Sequence, residues 1–166
     1  MNGPLAGLFR YNKWANLELI DACRGLTEEQ LDGRAHGTSG SIRELLVHLA
    51  GGQQTFILRT NGRQHEGELG RGTAWPGFDV VRSVALGTSD ELIQIAEKLE
   101  TDPEITLPWQ GRAYRYPMSF FLLHALEHGV EHRTEISVTL TQLGVEHPDL
   151  DAWFYARAVG LGQEAR

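Results

Sequence analysis

Apolar residues recur at helical spacing in four stretches of the chain, separated by polar, glycine-rich segments. In the first, Leu5, Leu8, Phe9, Asn12, Leu19 and Ile20 fall close to one face, Trp14 and Leu17 widen it, and Gly25 supplies a stop. This predicts a helix over Leu5–Arg24. Thr27 followed by Glu28, Glu29 and Gln30 reads as a capped short turn, and the Gly/Ser/Thr cluster after it as a loop. A second helix opens at Ser41, where Glu44 completes a capping box, and carries the stripe Ile42, Leu45, Leu46, Leu49, Gln53, Phe56 and Ile57. The run Asn61–Pro76, rich in Gly and charge, reads as a long surface connection.

A third helix is expected from near Asp79, either continuous or broken at Gly87-Thr88-Ser89, where Ser89 can cap Asp90–Leu99. Asp102-Pro103 ends it, because proline disfavours helical geometry in the residue before it. Ile105–Tyr116 alternates about Gln110-Gly111 and reads as a small hairpin or an extended loop. Pro117 is placed as the N1 residue of the strongest helix, Met118–Leu143, which Gly144 stops. A short last helix, Leu150–Val159, follows His147-Pro148. Four main helices with hardly a credible strand predict an all-α fold: a four-helix bundle with a long crossover connection and a short extra C-terminal helix, as one domain over residues 1–166.

Composition narrows the partners. The formal net charge of -7 and the absence of a Lys/Arg stripe leave no footprint for nucleic acid. No apolar run approaches the ~20 residues of a membrane span, and Met1–Arg10 lacks the pattern of a secretory signal, so the expectation is a cytoplasmic protein. The single cysteine, Cys23, removes thiolate-cage zinc and CxxC chemistry and reads as a small buried hydrophobe.

Candidate chemistry lies in the histidines. Of seven, His36, His65 and His147 sit in loops flanked by Gly or Pro and read as solvated. His124, His128 and His132 follow one another at intervals of four, on the arc that also carries Phe121, Ala125, Ile136 and Leu143. Imidazoles at i and i+4 can meet on one metal ion at ~2.0–2.1 Å. All three cannot, since His124 and His132 stand ~12 Å apart along the axis. A mononuclear site takes two of them and draws further ligands from other helices. The best third candidate is His48, roughly 100° from the centre of the second stripe, where a side chain reaches a cleft between helices. His128 is followed by Gly129 and not by Glu, so no HExxH zincin motif is present, and there is no G-x-S-x-G elbow or phosphate-cradling glycine loop.

Three stretches, YNKWANLELI, SIRELLVHLAGGQQTF and HALEHGVEHRTEISVTLTQLG, carry a family likeness. On them the chain resembles the DinB-like (YfiT-type) superfamily of metal-dependent enzymes. The resemblance implies a four-helix bundle, a divalent metal on His48, His128 and His132, a homodimer, and transfer or isomerisation with a low-molecular-weight thiol such as bacillithiol, mycothiol or glutathione. Where the family commonly reads His-Arg-Gly-Gln, this chain has His132-Arg133-Thr134-Glu135, which adds a carboxylate on the site-facing arc.

The leading expectation is therefore a thiol S-transferase using a small-molecule substrate, with Glu135 or Glu131 orienting a ligand imidazole or shuttling a proton. Glu135 is the choice for the catalytic residue. Imidazole ligation suits Zn, Ni, Cu or Fe, with zinc or nickel preferred. The alternatives are a metal-dependent hydrolase and a non-catalytic metal-binding stress protein.

Overall fold

Side-chain caps set where several of the helices begin. The Ser41 hydroxyl accepts from the Glu44 amide at 3.4 Å while the Glu44 carboxylate accepts from the Ser41 amide at 2.8 Å. Thr27 and Gln30 form the same reciprocal pair at 3.2 and 2.9 Å. The computed structural model describes residues 3–63, 69–70 and 72–162. Along them run α1 (Pro4–Ala22), α2 (Glu28–Leu31), α3 (Ile42–Thr60), α4 (Phe78–Lys98), β1 (Glu104–Trp109), β2 (Arg112–Pro117), α5 (Met118–Gln142) and α6 (Ala152–Val159). The protein is mostly helical, with one small antiparallel sheet.

The four long helices close a ring: α1 packs on α4 and α5, and α3 packs on the same two. Apolar side chains fill the ring in two clusters. One gathers Leu19, Ile20, Leu46, Val81, Ile136 and Leu140, the other Phe9, Phe56, Ile57, Leu92, Leu122 and Ala125. Between the two clusters each helix also carries buried polar residues: Asn12 and Asn16 on α1, Gln53 on α3, Thr88 and Ser89 on α4, and His128, His132 and Arg133 on α5. Buried polar groups require partners. The Arg133 guanidinium donates to Asn12 and Asn16 at 2.6 and 2.5 Å, and Gln53 bonds Thr88 at 3.1 Å and Ser89 at 3.3 Å. A polar layer thus crosses the middle of the ring.

Several expectations change. The chain is not all-α, because Ile105–Tyr116 forms a hairpin in which Trp109 pairs with Arg112 across the two-residue turn Gln110-Gly111. Both turn residues have positive φ, 47° and 75°, as the hairpin-forming type I′ turn demands. α1 ends at Ala22 and gives way to a single 3-10 turn, Cys23–Gly25. α4 runs unbroken through Gly87-Thr88-Ser89; the Thr88 hydroxyl bonds back to the Val84 carbonyl at 2.7 Å, and the Ser89 hydroxyl lies against Gln53. Pro117 ends β2 and is the N-cap of α5, one position before the N1 place expected for it. α6 starts at Ala152, capped by Asp151, and none of its residues is buried. Leu8 and Leu143 are exposed despite lying on predicted apolar arcs.

Gln110 occupies a left-handed position that costs a side-chain-bearing residue roughly 1–2 kcal/mol. Gln110→Gly is expected to raise stability by about 0.5–1 kcal/mol, the greater chain entropy of glycine offsetting part of the gain. Thermal or denaturant unfolding measures it, and a variant less stable than wild type contradicts the turn assignment. Among the described residues no helix is long and apolar enough to cross a membrane.

Candidate metal centre

His48 projects from the middle of α3, and His128 and His132 project from consecutive turns of α5, where the two helices pack together. The three side chains converge. Each offers a ligand atom within 4.8 Å of the other two, and the ring centroids of His48, His128 and His132 lie 4.3–4.7 Å apart. The Nε2 atoms of His48 and His128 are separated by 3.1 Å. Two imidazole nitrogens on one tetrahedral ion stand roughly 3.3–3.4 Å apart, so the pair is already spaced for a shared metal. His128 and His132 are 8% and 4% exposed and His48 is half-buried.

Glycine makes the approach possible. A Cβ at Gly52 would lie 2.3 Å from Cε1 of His128, and one at Gly51 would lie 1.5 Å from the Leu69 carbonyl oxygen. Gly51 therefore admits the connecting segment, and Gly52 admits the His128 ring. On the other side of α5 a Cβ at Gly129 would lie 2.5 Å from Asn12 Oδ1. Sequence reading passed over these glycines. Their signal was there, since a glycine within a helix costs roughly 1 kcal/mol against alanine and two adjacent ones call for a packing reason.

Glu135 sits behind His132. Its Oε2 is 2.6 Å from His132 Nδ1, and its two oxygens accept from the Ser39 amide at 2.7 Å and hydroxyl at 3.0 Å. Burial pushes the Glu135 pKa up, but the hydrogen bonds from His132 and Ser39 outweigh it and leave it below the ordinary carboxylate value. An ionised carboxylate only accepts, so His132 Nδ1 carries the proton and Nε2 keeps the lone pair a metal needs. Ser39, from the loop before α3, is a second residue that sequence reading missed.

The remaining expected residues lie elsewhere. His124 is half-buried with its ring 4.5 Å from Phe56, burial holds its pKa below the ordinary value, and it is outside the triad. Glu131 is exposed. His36 is exposed, and His147, also exposed, bonds Thr141 Oγ1 at 3.1 Å. His65 lies outside the described residues. Cys23 is wholly buried and its thiol is pushed up to about 12 by burial, which keeps it protonated and inert at neutral pH.

Among the described residues no fourth His, Cys, Asp or Glu joins the cluster. A cavity of about 300 Å³ opens beside His48, lined also by Arg34, Ser39, Glu44 and Thr73. Three imidazole donors, one of them backed by a carboxylate, and adjoining space form the pattern of a metal site that admits an outside ligand.

No curated protein matches the chain. In structure it is similar to a DinB-like protein from Bacillus cereus ATCC 10987, with a TM-score of 0.64 and 20% identity, over 87% of this chain and 94% of that one. That likeness concerns the fold. The sequence model of the DinB family matches residues 1–165, and the chain belongs to that family.

Proposed function

We propose that this protein is a metal-dependent transferase that uses a low-molecular-weight thiol of the bacillithiol, mycothiol or glutathione type, on the four-helix-bundle scaffold the ring of long helices represents. The observation that carries the reading is the convergence of His48, His128 and His132 beside a cavity. These three would hold the ion, with zinc or nickel as the favoured metals for imidazole donors. When bound, a divalent ion supplies Lewis acidity that keeps a thiol ionised near neutral pH.

The rest falls to the chain. His128 and His132 come from one helix, α5, and Gly52 of α3 leaves room for the His128 ring beside His48. Glu135, fixed by Ser39, holds His132 in one tautomer and acts as a positioning residue. Arg34 lines the cavity paired with Glu44 at 2.7 Å, a partner that a thiol's carboxylate would have to displace. The reading extends to a cytoplasmic homodimer.

The test is cobalt substitution. Adding the matching thiol should produce a sulfur-to-metal charge-transfer absorption that His48→Ala lacks. No such band with any of the three thiols, together with metal-dependent ester or amide cleavage, would favour a hydrolase. Neither band nor cleavage would favour a metal-binding protein without catalysis.

A further inference from the structure

A second cavity, of about 640 Å³, lies away from Arg34 and Ser39, between the β1–β2 hairpin and the adjoining faces of α3 and α5. Its volume falls within the range of small-molecule sites. The wall is aromatic. Tyr116 and Phe120 stack on one another with centroids 5.0 Å and planes 19° apart, and Trp109, 58% exposed, lines the same space from the hairpin. Such area is costly to leave in water and matches a planar guest.

Arg59 is the cavity's cation. It makes no ion pair among the described residues, and its guanidinium carbon rests 5.7 Å from the Phe56 ring centroid. An arginine that lines an aromatic cavity and makes no ion pair among the described residues selects for one negative group on the guest. Gln110 also lines the space while occupying the left-handed turn position that glycine would fill with less strain. Keeping an amide there is consistent with a use for its side chain.

We infer that this cavity binds a planar aromatic carboxylate, its ring against Tyr116 and Phe120 and its carboxylate on Arg59. His124 lines the cavity, Phe56 lies 4.5 Å from His124, and Phe56 lies 5.3 Å from His128, so the guest sits one helical turn from the triad. Its role as the acceptor of the thiol rests on the metal reading above; the binding itself does not.

The probe is 2-naphthoate, titrated calorimetrically into wild type and variants whose fold is checked by circular dichroism. Saturable binding of one molecule per chain is expected. Arg59→Gln, and separately the neutral 2-naphthamide, should each weaken it by about tenfold or more. Trp109→Ala, at an exposed strand position, should weaken it too, and cyclohexanecarboxylate should bind less well than the aromatic acid. His48→Ala should bind 2-naphthoate as wild type does, whether or not it still holds metal, so failure of the metal reading leaves this result untouched. Equal affinity in wild type and Arg59→Gln, binding that disappears with His48→Ala, or no saturable binding at millimolar acid would each overturn the assignment.

Discussion

His48→Ala is expected to leave the purified protein nearly devoid of divalent metal, and so are His128→Ala and His132→Ala. Even partners that only orient a ligand typically cost 10–100-fold in metal affinity when changed, so removal of a ligand should cost at least about 100-fold. Glu135→Gln should fall within that 10–100-fold range, because the carboxylate touches His132 and not the proposed ion. His124→Ala should retain metal, since its ring lies outside the triad. Gly52→Ala makes the sharper demand. Alanine is the better helix former by roughly 1 kcal/mol, yet its Cβ would stand 2.3 Å from His128, and the ring must swing out of the cluster to admit it. Metal content per chain after identical purification, with circular dichroism as the check on folding, measures the series. Full occupancy in His48→Ala or in Gly52→Ala would remove the basis for the site.

Much of this arrangement was legible because it follows from helix periodicity. His128 and His132 share a face by their spacing of four, and both are buried on α5. The capping boxes at Thr27 and Ser41 form as their sequences require. Asn12 and Gln53 were also placed correctly on buried faces, but what they do there was not visible. Their partners, Arg133 and the Thr88-Ser89 pair, come from other helices, and periodicity carries no information about which helices meet. For the same reason Ser89 was offered as a cap, whereas it lies buried against Gln53 within an unbroken α4. Glu135 was visible as a carboxylate on the right arc, while Ser39, which holds it, belongs to a loop 96 positions away in sequence. Chemistry confined to one helix could be read in advance. Contacts made by the ring had to be seen.

The second large effect expected is a dependence of stability on pH that appears only when metal is bound. At a free metal concentration a hundred times Kd, binding adds about 2.7 kcal/mol, which for a chain of this size raises the thermal midpoint by about 5–10 °C. Histidines acting as ligands must give up their protons, whereas histidines in the unfolded chain titrate near ~6.5. In mild acid the unfolded chain therefore binds more protons than the metal-loaded native one, and stability rises with pH there. The contribution of the ion is present above about pH 7 and is lost as pH falls below it. Glu135 adds a separate acid component that needs no metal. Its folded pKa is depressed, so its contribution is present above the ordinary carboxylate value of 4.5 and is lost as pH falls through the lower folded value. Thermal midpoints of loaded and chelator-treated protein from about pH 8 to pH 3.5 separate the two. The gap between them should shrink to nothing near about pH 5, and the residual acid slope should be smaller in Glu135→Gln. A gap of zero at every pH would count against metal at the triad, and a gap that does not vary with pH would place the ion on ligands other than histidine.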